Sequence, residues 1–310
     1  MPHAAIVLLA STLIALVAGN NLSACSGAII SSRVTSRRAG ILITIIGYSL
    51  GLGLQGRTLQ AGFLALMPNR SDVLVLIALA TAIVIFVVAH LTRVPQSLSL
   101  TLACAILGIS TATHGAISEP FVLTMLAFWV FAPVVSVLLI VGSMQCSRQL
   151  INERSVWGTI RGIKGLLVAL SFLAAFTLGA NTIGFVYAAM PRTWYDLVIA
   201  VLAITAGSIL LSAGEIRRVG NEILPMRYIN SINSQLSSVV LVELATLFSV
   251  PLSNTQTFTM GVYGAGLSYK YRLLIGKSAK IILSSWLGMV IISFLLGYMM
   301  ADVLVVHSFI

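Results

Sequence analysis

The sequence predicts an all-α polytopic membrane protein of two inverted-topology repeats, each with a broken transmembrane helix and a helical hairpin. Composition is the first ground for this. Of the 310 residues 58% are hydrophobic and 8% are charged, and mean hydropathy is +1.04. A soluble domain carries about 25% charged residues, so this chain cannot cover itself in water. The second ground is a set of polar landmarks that recurs in one order at nearly one offset. The third is the placement of the basic residues, which orients the two halves.

Helical spans require apolar runs of about 17–25 residues. Such runs occur at 4–30, 39–56, 73–92, 121–142, 166–190, 197–213 and 281–300. Segments 95–111 and 231–267 are also apolar but are interrupted by Pro and by hydroxyl or amide side chains. The run 6–18 lacks a basic n-region and a small-residue cleavage site and is read as a retained span. The longest polar stretch, 143–164, falls near mid-chain. The expected organisation is a first repeat at 1–142, a cytoplasmic linker at 143–165 and a second repeat at 166–310.

Gly19, Asn20 and Asn21 return as Gly179, Ala180, Asn181 and Thr182, 160 residues later. Pro95, Gln96, Ser97, Leu98 and Ser99 return as Pro251, Leu252, Ser253, Asn254, Thr255 and Gln256, 156 residues later. Trp129 and Trp286, in the closing spans, lie 157 apart. Non-helical backbone survives at membrane depth only when buried in protein or lining a wet cavity. Matched interruptions in two halves therefore point to a transport site.

Charge orients the halves. With the N-terminus outside and 73–111 and 231–267 folded as hairpins, four basic groups fall inside: Arg33, Arg37 and Arg38; Arg148, Arg154, Arg161 and Lys164; Arg217, Arg218 and Arg227; and Lys270, Arg272, Lys277 and Lys280. Of the 18 basic residues only Arg57, Arg70 and Arg192 lie on outer loops, with Arg93 beside the first hairpin turn. This is the positive-inside pattern. It predicts a multi-pass cell-membrane protein with both termini outside and halves that run in opposite directions.

The same placement removes nucleic acid as the meaning of the +10 net charge, because the basic residues sit at span ends with no aromatic interleaving. There is no phosphate-binding Gly-rich Lys loop, no His-rich cluster and no assembled nucleophile set. Enzymatic activity has no support, and no cofactor or metal is expected. Cys25, Cys104 and Cys146 share no ligand spacing and read as packing residues.

What remains is binding chemistry. Asn20 and Asn181 could cap half-helices whose positive N-terminal ends suit an oxyanion. The alternative reading of each Gly and polar pair is close helix packing. Pro95 and Pro251 suit a first helical turn, which places Ser97, Ser99, Ser253, Asn254, Thr255 and Gln256 beside uncommitted backbone donors. Such neutral donors can bind a tetrahedral anion. Glu243 is the one acid well inside an apolar run and is the coupling candidate. His90 and Arg93 precede the first turn and read as interfacial.

Together these elements resemble the inorganic phosphate transporter (PiT) family, whose halves each carry a Gly-x-Asn-Asp-x-x-Asn signature and a Pro-Val-Ser-Thr-Thr-His turn. The second half is the closer match: a basic loop at 214–225, a polar-faced helix, and the turn from Pro251 to Gln256. The resemblance implies a secondary transporter for inorganic phosphate, or for sulfate, coupled to H⁺ or Na⁺ in a lipid bilayer, and makes a homodimer plausible. Its binding roles carry over to Asn20, Asn181, Ser97, Ser253 and Thr255, and with the neighbouring polar residues of the breaks and turns the expected substrate-binding set is Asn20, Asn21, Ser97, Ser99, Asn181, Thr182, Ser253, Asn254, Thr255 and Gln256. Asn21 and Thr182 stand where the signature has aspartates, and Ala24 and Phe185 where it has its second asparagines. That loss argues against an unaltered Na⁺ site and favours protons, through Glu243. Two rival readings are a permease for another anion and a non-transporting scaffold or sensor.

Overall fold

The computed structural model describes residues 2–92, 97–151, 156–211, 228–268 and 275–306. Among them every regular element is helical: α1 (Pro2–Ser31), α2 (Arg37–Gln55), a 3₁₀ turn (Gly56–Thr58), α3 (Leu59–Leu66), α4 (Asp72–Leu91), α5 (Leu98–Ala112) and α6 (Glu119–Ile151), then α7 (Val156–Leu178), a π-helical turn (Gly179–Ile183), α8 (Gly184–Tyr187), α9 (Trp194–Leu210), α10 (Tyr228–Leu247), α11 (Asn254–Ser268), α12 (Ile275–Ala301) and a second π-helical turn (Asp302–Val306). Among the described residues six helical runs are long and apolar enough to cross a membrane, and α5 and α9 are shorter apolar helices.

Elements and expected spans agree to within a few residues, with four differences. The break expected at Gly19–Asn21 is absent, since α1 runs unbroken for 30 residues. The counterpart at 179–183 is a five-residue π turn rather than a gap. The apolar eight-residue α3 was not foreseen, being too short for a span. The stretch expected as a linker is largely helix, because α6 extends to Ile151 and α7 begins at Val156.

Within the unbroken α1, Gly19 serves close packing. A Cβ on Gly19 would fall 2.5 Å from Leu211 Cβ and 2.8 Å from the Gly207 carbonyl oxygen. On Gly207 it would fall 2.0 Å from Ala15 O. These glycines let α1 and α9 touch backbone to backbone, the small-residue packing that membrane helices use. The same device joins α2 to α7, where a Cβ on Gly51 would meet Phe176 O at 1.9 Å and one on Gly179 would meet Tyr48 O at 2.2 Å. Further along, α5 packs on α12 and α11 on α6.

Buried apolar side chains fill the interior, including Tyr48, Phe63 and Phe185, while Leu123, Phe131, Leu138, Leu287 and Leu295 face outward. An outward apolar girdle is unremarkable in a bilayer, where hydrocarbon is the solvent. The helix pairs α4/α5 and α10/α11 pack on each other. Ser249, at φ 58°, ends α10 in a left-handed residue. The Val250 N–H reaches back to Ala245 O at 2.8 Å, closing a Schellman-type cap. This reversal sends the chain into the turn that precedes α11. Gly62 of α3 packs on it so closely that a Cβ would lie 2.0 Å from Ser249 O.

Candidate functional site

The two short helices α5 and α11 begin in the same way. Ser97 caps α5 by accepting from Leu100 N at 3.5 Å, and Ser253 caps α11 by accepting from Gln256 N at 3.2 Å. Four residues on, the Thr101 and Thr257 hydroxyls donate back to the Ser97 and Ser253 carbonyls at 2.9 and 3.3 Å. Pro251 lies two residues ahead of its cap rather than in the first turn as expected. Its carbonyl there receives Trp129 Nε1 at 2.9 Å. Pro95 and Gln96 lie outside the described residues, as does the side chain of Thr255.

Ser99 joins the two helix starts to the π turn. Its hydroxyl lies 3.2 Å from Thr182 Oγ1 and donates to Leu252 O at 3.3 Å. Ser97, Ser99, Thr182, Ser253, Asn254 and Gln256 are all buried. Three segments far apart in sequence thus converge: the start of α5, the turn before α11, and the π turn. A π turn leaves backbone groups out of the α ladder and often marks a functional position.

Asn181 does not cap a half-helix, as the sequence suggested. Its side chain crosses to the turn before α11, where Nδ2 donates to Thr246 Oγ1 at 3.0 Å and to Val250 O at 2.9 Å, while Oδ1 accepts from Leu252 N at 2.9 Å. Both N–H donors and one acceptor position of that amide are in use, so Asn181 holds the turn in place. Asn254 is likewise engaged, with Oδ1 accepting from Ser238 Oγ at 2.5 Å. Asn20 is half-buried and Asn21 buried, and neither side chain makes a hydrogen bond among the described residues.

Glu243 stands apart from this convergence. It lies on α10, one turn before Thr246, half-buried, and Gln55 Nε2 donates to its Oε1 at 2.5 Å. Among the described residues its Oε2, which is buried, has no partner, and neither has the buried Gln256 Oε1.

Several contributing residues escaped the sequence reading. Ser238 also contacts Thr257 Oγ1 at 2.8 Å, and Ser136 donates to Thr257 O at 2.7 Å. Gln235 donates to Cys25 O at 2.8 Å, tying α10 to α1. The signal was present in the dense Ser, Asn and Gln content of 231–238 and in the matched Ser-x-x-x-Thr at 97–101 and 253–257.

With this arrangement in view, comparison with known proteins is decisive. The sequence model described as the phosphate transporter family matches residues 17–297. The chain belongs to that family. A Methanocaldococcus jannaschii protein with the provisional name of phosphate permease is 22% identical over 287 residues, covering 92% of each chain. A Bacillus subtilis protein provisionally named a low-affinity inorganic phosphate transporter is 22% identical over 246 residues, 74% of each. The fold matches a solved structure titled the sodium-dependent phosphate transporter with a TM-score of 0.83, at 16% identity and 98% coverage of both chains. This member of the phosphate transporter family is thus a multi-pass helical membrane protein, as its composition required, and the family is one of transporters rather than enzymes.

Proposed function

We propose that this chain is a cation-coupled secondary transporter of inorganic phosphate that works by alternating access, binding its anion where α5 and α11 begin. The observation that carries this reading is Ser99, which links Thr182 of the π turn to Leu252 ahead of α11. The first N–H groups of each helix, at Leu98, Ser99, Asn254 and Thr255, have no intrahelical acceptor. Two helix N-termini aimed at one region favour an oxyanion there. Gln256 Oε1, buried and unpartnered, offers an acceptor for a protonated phosphate oxygen. Asn20, Asn21, Ser97, Thr182, Ser253 and Thr255 complete the proposed lining, while Asn181 and Asn254 position it.

The halves 1–142 and 166–310 are read as inverted repeats, with both termini outside the cell membrane. Reciprocal packing of α1 on α9 and α7 on α2, and of α5 on α12 and α11 on α6, supports this, as does the charge bias. Coupling is assigned to Glu243, the one acid within α10, through its unpartnered Oε2. The sodium dependence in the solved neighbour's title favours Na⁺. The signature acids replaced by Asn21 and Thr182 favour H⁺.

Uptake of radiolabelled phosphate into proteoliposomes under separate Na⁺ and pH gradients tests the reading, with sulfate as competitor. Gradient-driven phosphate uptake that Glu243→Gln uncouples is the expected result. Uptake driven equally well by Glu243→Gln would overturn the coupling role, and absence of uptake under every gradient would overturn transport itself.

A further inference from the structure

Three arginines far apart in the chain come together at one end of the fold. Arg57 is in the 3₁₀ turn after α2, Arg70 in the connection before α4, and Arg192 between α8 and α9. Arg70 Nη2 donates to Ala189 O at 2.8 Å and Met190 O at 3.1 Å, and Arg192 Nη1 donates to Gln60 Oε1. Gly56, next to Arg57, packs on Gly184 of α8 so closely that a Cβ on Gly184 would lie 2.9 Å from Gly56 Cα, and the Tyr187 hydroxyl at the end of α8 donates to Thr193 O, beside Arg192, at 3.5 Å.

Every acceptor these arginines use is neutral. Among the described residues none of the three makes an ion pair, and Arg57 is exposed with no hydrogen bond at all. Two carboxylates are near, and both serve helix starts. Asp196 accepts from Thr193 N and Oγ1 at 2.7 and 2.9 Å in the capping box of α9, and Asp72 sits in the first turn of α4. Three guanidinium groups against two carboxylates leave positive charge uncompensated. Burial and the neighbouring Arg192 both lower the pKa of Arg70, with Asp72 acting the other way. Arg192 moreover holds a left-handed backbone, φ 68°, that a glycine would adopt more readily.

Like charges gathered against their own repulsion, with fewer carboxylates than guanidinium groups and no ion pair among the described residues, suit a ligand that carries the missing negative charge. Guanidinium forks match phosphate oxygens in geometry as well as in charge. The place is also apt. Tyr187 is six residues beyond Asn181 on one helical run, about 9 Å at ~1.5 Å per residue.

We propose that Arg57, Arg70 and Arg192 form a second anion site, which binds a phosphate-type oxyanion at the mouth above the convergence of α5, α11 and the π turn. The oxyanion is free phosphate captured from solution or the phosphate of a lipid headgroup. Binding there does not require that the chain transport phosphate.

The test titrates inorganic phosphate by calorimetry into the full chain in uncharged, lipid-free detergent, and counts retained phosphatidylglycerol by native mass spectrometry. Arg57 is the residue to change, because it is exposed and unbonded and its loss leaves the fold intact. Two binding steps are expected for the parent protein, one of them weakened about tenfold or more in R57Q and lost in R57E. R57K should keep much of it. If phosphate binds in one step that R57Q leaves alone, while R57Q sheds a phosphatidylglycerol, the ligand is the headgroup. Unchanged isotherms together with unchanged lipid retention in R57Q and R57E overturn the proposal. Uptake is read separately: two-step binding without uptake would remove the transport reading and leave this site standing.

Discussion

The starts of α5 and α11 share a frame and differ in what fills it. Each has a capping Ser and a Thr four residues on that donates back to the cap carbonyl. Between them α5 carries Leu98, Ser99 and Leu100, where α11 carries Asn254, Thr255 and Gln256. Leu98 and Leu100 are 4% and 2% exposed and belong to the apolar core. On the α11 side, Asn254, Ser238, Thr257 and Ser136 form a continuous hydrogen-bonded set. Starting a helix in a low-dielectric interior requires a cap in both halves. Recognising a ligand requires spare polar atoms, and the α11 start supplies one in Gln256 Oε1, buried without a partner among the described residues.

The largest expected effect breaks the attachment of the α11 start to the π turn. Asn181→Ala removes three buried hydrogen bonds and strands Val250 O and Leu252 N. At about 1–3 kcal/mol for each orphaned buried group, the loss should exceed ~2 kcal/mol. Thermal unfolding in detergent should show a clear drop in midpoint, with phosphate uptake abolished. A variant as stable as the parent would mean that the turn holds itself, and that Asn181 is free to bind ligand after all.

Next come reciprocal exchanges at equivalent positions. Leu100→Gln puts an amide into a packed apolar site and should cost about 1–3 kcal/mol of stability. Gln256→Leu removes an oxygen that has no partner, so stability should hold or rise while phosphate affinity falls. Unfolding midpoints and the uptake KM of the two variants check this. Equal losses of stability would show that the two starts are alike in packing and that the polar asymmetry is incidental. A smaller effect, about 1 kcal/mol, is expected for Trp129→Phe, which gives up the bond to Pro251 O.

The helices were legible because apolar length is a local property, and the matched helix caps Ser97 and Ser253 were legible because they keep one offset. Whether a Gly and Asn pair breaks its helix was not legible. Gly19 and Gly179 each admit a neighbouring backbone, yet only the second lies in a π turn. That outcome depends on which carbonyls crowd each glycine, and a single segment does not encode it. The part played by Asn181 was hidden for the same reason, since its partners lie 65 to 71 residues away. Glu243 stood out as an acid among apolar residues. Its partner Gln55 closes a span 188 residues distant and carried no signal of its own.

The smallest expected effect on stability sharpens the contrast between α1 and the run from α7 to α8. Asn20 and Asn21 correspond in sequence to the Asn181 region, yet α1 is regular and their side chains have no hydrogen-bond partner among the described residues. Asn20→Ala and Asn21→Ala should therefore shift stability by no more than about 0.5 kcal/mol, the usual range for changes that break no buried network. If these amides face the anion, the same variants raise the uptake KM while the fold is untouched, so binding and structure separate cleanly. A loss of stability near that of Asn181→Ala would mean that α1 carries a matching clamp in another state of the transport cycle. Under the proposed alternating access, the paired asparagines, locked in one half and released in the other, would then be exchanging roles.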